Sequence, residues 1–207
     1  MVQRGHSARS DEVLFMNILT DVLPTAITVT DTEYKIDSDF RTCLKIILAF
    51  EDNELTPQEK QVILLSMLFV KMPRDIGQAL AQANVFLNGG KVSEEDTVAH
   101  PRLYSFSKDA NFIFAAFKQT HNIDLQIENF HWWKFLALFM DLGTETTFCQ
   151  LISLRKRINA GTATKEERAA AREMGDIFEV PEVDDRTLEE KEAEIQFMKL
   201  VEQGHKK

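Results

Sequence analysis

The sequence predicts a mainly α-helical fold: a short N-terminal β-hairpin, a compact multi-helix bundle, and a charged C-terminal helical tail. Three observations carry that prediction. Apolar residues recur at three- and four-residue spacing through most of the chain between residues 37 and 180. A single stretch, residues 27–36, alternates β-branched or aromatic residues with polar ones instead. The segment Tyr104 to Leu142 gathers nearly half of the 15 Phe and both Trp, so it must be buried in its own core or against a partner.

The bulk properties fit such a fold. With 207 residues, 44% hydrophobic and 28% charged, the chain can bury a real core without disulfides. Cys43 and Cys149 fall inside amphipathic patterns and read as small buried hydrophobes. The formal net charge of −9 disfavours a protein that grips phosphate backbones, and the one dense basic run, Arg155-Lys156-Arg157, is short. No uncharged apolar run approaches the ~18 residues of a membrane span. Residues 1–15 lack the apolar core of a secretory signal and read as a disordered extension ahead of Met16. The organisation expected is therefore that extension, one mainly helical domain over 16–180, and a tail over 181–207.

In chain order, ITVTDTEYKI (27–36) reads as two short strands joined around Asp31-Thr32, a hairpin that must pack on the helices after it. Any of Asp37, Ser38 and Asp39 can cap the next run, whose face is Phe40, Cys43, Leu44, Ile47 and Phe50. Thr56-Pro57-Gln58-Glu59 is a helix start with hydroxyl cap, first-turn proline and glutamate at the third position. Ile63, Leu64, Met67 and Leu68 form its apolar face. After Pro73, Ile76, Leu80, Ala83 and Leu87 make a third stripe, stopped at Asn88-Gly89-Gly90. A polar loop over 89–103 comes next. Ser107 is the expected cap of a helix facing inward through Ala110, Ile113, Phe114 and Phe117, with Phe106 as a hydrophobic staple.

A break at His121-Asn122 precedes a helix from about Glu128 to Leu142, apolar nearly all round and therefore central. Thr144 opens another amphipathic run with Phe148, Leu151, Ile152 and Arg155 on one side. Thr164 and Glu167 form a second capping box. Beyond Pro181 the chain is dense in charge and poor in aromatics; Leu188, Ile195 and Met198, with Leu200 or Val201, are its apolar anchors.

Catalytic chemistry finds little support. His131-Trp132-Trp133 suggests a cation cage, yet neighbouring helical residues point about 100° apart, so core packing with satisfied indole N–H groups is the better explanation. The five histidines show neither HExxH nor ligand-spaced pairs, and no metal or other cofactor is expected. Gly89-Gly90-Lys91 lacks phosphate-loop spacing and reads as a helix stop. Asp39 and Arg41 read as a structural clamp between hairpin and first helix: Asp39 sits at the positive helix end, and Arg41 can reach a carboxylate elsewhere. Asp109 reads as an anion in a cap region. No catalytic residue is assigned, and the chain is read as a non-enzyme.

The hairpin into TEYKIDSDFRTCLKI (32–46), YSFSKDANFIFAAF (104–117), the IDL of 123–125 and HWWKFLALFMDL (131–142) resemble a phage family, the gene-product-fifteen family of siphophages and prophages of Gram-positive bacteria. Order and spacing fit from about Met16 to Pro181; Leu154-Arg155 stands where the family tends to carry Tyr-Arg. The resemblance implies a tail assembly chaperone acting in the host cytoplasm and absent from the mature virion. It would coat the largely helical tape measure protein, keep it soluble, and recruit major tail protein subunits. Some such chaperones also exist in a longer frameshifted form, and self-association stays open. A structural tail component or a small regulator of a host protein are the alternatives. A helical client needs apolar contacts, and the candidates are exposed members of Phe130, Trp133, Phe135 and Phe139, together with Leu188, Ile195 and Met198 of the tail.

Overall fold

The computed structural model describes residues 17–91 and 101–180. The expected disordered extension, most of the polar loop and the C-terminal tail, with Leu188, Ile195 and Met198, lie outside the described residues.

The alternating segment forms a hairpin of β1 (Ala26–Val29) and β2 (Thr32–Lys35), antiparallel with Val29 opposite Thr32. Its two turn residues, Thr30 and Asp31, both take positive φ, 43° and 60°, the geometry that matches a tight turn to strand twist. Thr30 Oγ1 donates to Gln78 Oε1 (2.6 Å) and contacts Asp75 Oδ2 (3.1 Å), fastening the hairpin tip to the helix that begins at residue 76.

Among the described residues seven helices follow: α1 (Phe40–Glu51), α2 (Pro57–Leu68), α3 (Ile76–Leu87), α4 (Ala110–His121), α5 (Trp132–Met140), α6 (Thr147–Asn159) and α7 (Lys165–Met174), then a 3-10 turn (Gly175–Ile177). Packing runs as a chain of neighbours: β1 on α3, α3 on α2, α2 on α1, α1 on α5, α5 on α4, α4 on α6, and α6 on α7.

The caps obey the local chemistry in most cases. Asp39 caps α1 by accepting from Arg41 N (2.8 Å), and both Thr56–Glu59 and Thr164–Glu167 form complete capping boxes. The start of α4 differs from expectation. Ser107 is no cap; Asp109 occupies the N-cap position without capping, because its carboxylate is used elsewhere. The cap of α6 is Thr146 rather than Thr144.

Most predicted inward faces are buried or half-buried, including Phe40, Cys43, Leu64, Leu68, Ala83, Leu87, Ile113, Phe117, Phe148 and Leu151. Ile76 is an exception at 44% exposed; Ala79 and Phe86 take the inner positions of α3 instead. Helix α5 is also shorter than the expected Glu128–Leu142, since residues 122–131 run as turns and extended chain before it. Its all-round hydrophobicity does mark the centre. Phe135, with no exposed surface, lies among the rings of Phe40 (5.3 Å), Phe117 (5.0 Å), Trp132 (5.4 Å) and Phe139 (5.9 Å). Ring pairs at these separations contribute about 0.5–1.5 kcal/mol each beyond area burial.

Candidate functional site

The polar side chains are largely consumed in holding the bundle. His131 caps α5: its Nδ1 accepts from Trp133 N (3.0 Å), which leaves Nε2–H to donate to Pro24 O (2.8 Å). Burial lowers its pKa from the ordinary 6.5, against a smaller opposing effect of the Pro24 contact. The two tryptophans after it both reach the end of α3. Trp132 Nε1 donates to Leu87 O (2.8 Å), and Trp133 Nε1 to Phe86 O (2.7 Å). Those carbonyls belong to a last helical turn that lacks intrahelical partners. Gly90 N to Val85 O and Gly89 N to Phe86 O complete a Schellman turn there. Gly90 has φ +84°, and a Cβ on it would lie 2.9 Å from the Trp133 ring. The indoles are satisfied core groups that terminate α3, not a cage.

The Asp39–Arg41 clamp exists but joins different elements from those expected. Arg41 donates to Leu125 O (2.8 Å), Glu128 O (2.7 Å) and Asn129 Oδ1 (2.5 Å), so it ties α1 to the segment before α5 and not to the hairpin. Its partners there are two carbonyls and an amide, not a carboxylate, and Asp39 itself is 3.8 Å away. Phe40 N to Phe130 O and Trp132 N to Ser38 O reinforce the same junction.

Arg155, read from sequence as one residue of a basic run, is 2% exposed. It forms a bidentate pair with Asp109 (2.7 and 3.0 Å) and also donates to Leu103 O, Ile177 O and Phe178 O. All guanidinium directions are thus engaged. Sequence periodicity could place Arg155 on the inner face of α6 but could not supply its partner. The Cys43 thiol is pushed up to about 12, chiefly by burial and secondarily by the charges of Asp37 and Asp39, which makes it an inert core group. Among the described residues no cluster of three or more His, Cys, Asp or Glu is placed to hold a metal, and no helix is long and apolar enough to cross a membrane.

The expected client-contact residues distribute unevenly. Phe135 (0%) and Phe139 (8%) are core residues, so the expectation of exposure fails for both. Phe130 is half-buried and stacked on Phe40 (4.5 Å), and Trp133 is half-buried beneath Gly90. The rings are drawn inward because the short α5 is enclosed by α1, α3 and α4; Met140, 83% exposed, is its freest apolar side chain.

Open apolar surface occurs instead in a groove of about 330 Å³ between α1 and α4. Leu44 and Leu48 form one wall and Ala110, Ile113 and Phe114 the other, with Phe135 at the base and Arg41 and Lys45 on the rim. Leu48 departs from the predicted inner face of α1, which is the signal that it belongs to a second face.

Such a site offers hydrophobic contact to a protein segment, not acid–base or nucleophilic chemistry. The chain belongs to the family described as Bacteriophage Gp15 protein, whose model matches residues 19–180. Membership supports a non-catalytic role in phage tail assembly. No curated protein and no solved structure matches the chain.

Proposed function

We propose that this protein is a tail assembly chaperone that binds the tape measure protein of its phage, keeps it soluble, and helps to recruit major tail protein subunits. The observation that carries the reading is family membership across residues 19–180, nearly the whole of the described bundle. The α1–α4 groove supports it, because an amphipathic client helix is held by laying an apolar face into such a concavity. Phe135 contributes from the groove base, Phe130 flanks it through Phe40, and Trp133 and Phe139 act by stiffening α5 beneath. Individually modest contacts, repeated along a long client, give avidity while permitting release when the tube polymerises.

The test is co-expression with the tape measure protein encoded by the same phage, followed by pull-down and light scattering. A soluble complex with several copies per client is the expected result. An insoluble client beside a folded, unassociated protein overturns the reading and favours a structural or regulatory role. Recovery of the protein from purified particles would specifically favour the structural one.

A further inference from the structure

We propose that the open edge of β2 is a docking site for an extended, acidic segment of a partner protein. The site is a notch of about 510 Å³, with β2 as one wall and residues from Val70 to Arg74 as the other. It shares no lining residue with the α1–α4 groove, so the two surfaces can be tested independently.

Ile36 N donates to Thr25 O (3.0 Å), which with the hairpin register makes Ile27–Tyr34 and Val29–Thr32 the bonded pairs. The N–H and C=O groups of Glu33 and Lys35 therefore point away from β1. Residues 68–70 take up part of that outer edge. Asp37 N donates to Leu68 O (2.8 Å), Val70 N donates to Lys35 O (3.0 Å), and Ile36 bridges to Phe69. In register, the next bonded pair of this ladder is Glu33 with Met72. The chain bends at Val70 and Lys71 instead, and the ladder opens into the notch. Among the described residues neither the Glu33 backbone groups nor the Lys35 N–H has a hydrogen-bond partner. Such an edge is a template for one more strand.

Charge selects the strand that fits. Lys35, Lys71 and Arg74 line the notch against one carboxylate, Glu33. None of the three cations forms an ion pair among the described residues. This local excess of positive charge sits on a chain whose formal net charge is −9. Val70, 72% exposed, and Met72, 49% exposed, add apolar contact on the far wall. Tyr34 keeps that wall in place: its hydroxyl accepts from Arg74 N (3.4 Å), and its ring packs edge-on against Phe69 (6.3 Å). A second copy brings the same three cations and is repelled, and a phosphate backbone makes no use of a strand edge. An acidic peptide satisfies both the cations and the edge. The four residues of β2 offer about 13 Å of edge, so the contact is short and readily released.

The test titrates full-length protein with a fluorescein-labelled hexapeptide of alternating Glu and Val, beside its Lys and Val counterpart. Saturable binding is expected, roughly ten-fold or more tighter for the acidic peptide than for the basic one. Lys71→Glu with Arg74→Glu, both at exposed positions, should weaken it by roughly ten-fold or more. Lys45→Glu, exposed on the rim of the α1–α4 groove, should leave it unchanged. Amide exchange at Glu33 should slow by roughly ten-fold in the complex, a change that ion pairing alone does not produce. Absence of saturable binding overturns the proposal, and so does binding that spares Glu33 exchange or survives the double reversal. A thymidine oligonucleotide that binds more tightly than the acidic peptide, and is released by the same reversal, overturns it in favour of nucleic acid. Dimerisation of the free protein that Val70→Lys abolishes overturns it in favour of a second copy. An unchanged urea midpoint shows that each variant is folded.

Discussion

At the scale of single residues, the Arg155–Asp109 pair is the most consequential contact and the least visible beforehand. Both side chains are essentially sealed from solvent, 2% and 1% exposed, so neither charge can fall back on water when its partner is removed. Arg155→Met is expected to destabilise by about 3–5 kcal/mol because it strands a buried carboxylate, whereas adding Asp109→Leu removes that charge and should recover part of the loss, leaving the share owed to the carbonyls of Leu103, Ile177 and Phe178. Urea denaturation of the two single variants and the double variant measures the coupling; additive losses would remove the pair from the centre of this region. His131 gives a pH signature. Its folded pKa lies below 6.5, so its contribution is full above that value and is lost as pH falls below it, where the unfolded chain takes up the proton first. Protonation of Nδ1 would also abolish the α5 cap. Denaturation midpoints are expected to fall between pH 7.5 and 5.5, and His131→Asn, which keeps a capping oxygen, should flatten that slope. An unchanged slope would assign the acid sensitivity to other groups.

Among the elements, legibility tracks the range of the interaction. Thr56–Glu59 and Thr164–Glu167 are readable because a capping box is closed within four residues. Both glutamates are held below the usual carboxylate range, Glu59 by Thr56 inside its own box and Glu167 first by Arg157, ten residues back, and then by Thr164. Ser107 misleads because Asp109, which turns back to accept from Ser105 N, answers to an arginine 46 residues away. The end of α3 is readable as a glycine stop, but the two indoles that arrive from α5 to bind its carbonyls are not. That junction yields a prediction. Gly90→Ala places a side chain at φ +84° and against the Trp133 ring; the backbone conformation alone costs about 1–2 kcal/mol. Trp133→Phe removes the ring contact and one carbonyl partner together. In a double-mutant cycle, Gly90→Ala should therefore cost less on the Trp133→Phe background than on the native one. Equal costs on both backgrounds would mean that the glycine is required for φ alone.

For the whole molecule, the central feature is a division of labour among aromatic residues. The rings concentrated between Tyr104 and Leu142 need burial in the core or against a partner, and Phe135 and Phe139 are spent on the core. The sequence could show that these rings needed cover; it could not show that the bundle would provide most of it and leave the opening between α1 and α4. The open apolar surface is then set less by α5 itself than by the helices that fail to close over it, with Leu48 and Phe114 as the accessible walls. On the proposed reading, stability and client binding are separable. Leu48 is 38% exposed, so Leu48→Glu should change stability by no more than about 0.5 kcal/mol, the usual range for surface substitutions. A carboxylate there would nevertheless have to be desolvated beneath any apolar helix that enters the groove. Co-expression of Leu48→Glu with the tape measure protein is expected to return folded protein with the native denaturation midpoint and a client that has shifted to the pellet. Val62→Glu, on the outer face of α2, should leave the client in solution. If both variants solubilise it equally, the client must be held elsewhere on the bundle or by the tail. The exposed Met140 at the end of α5 is then the next position to substitute.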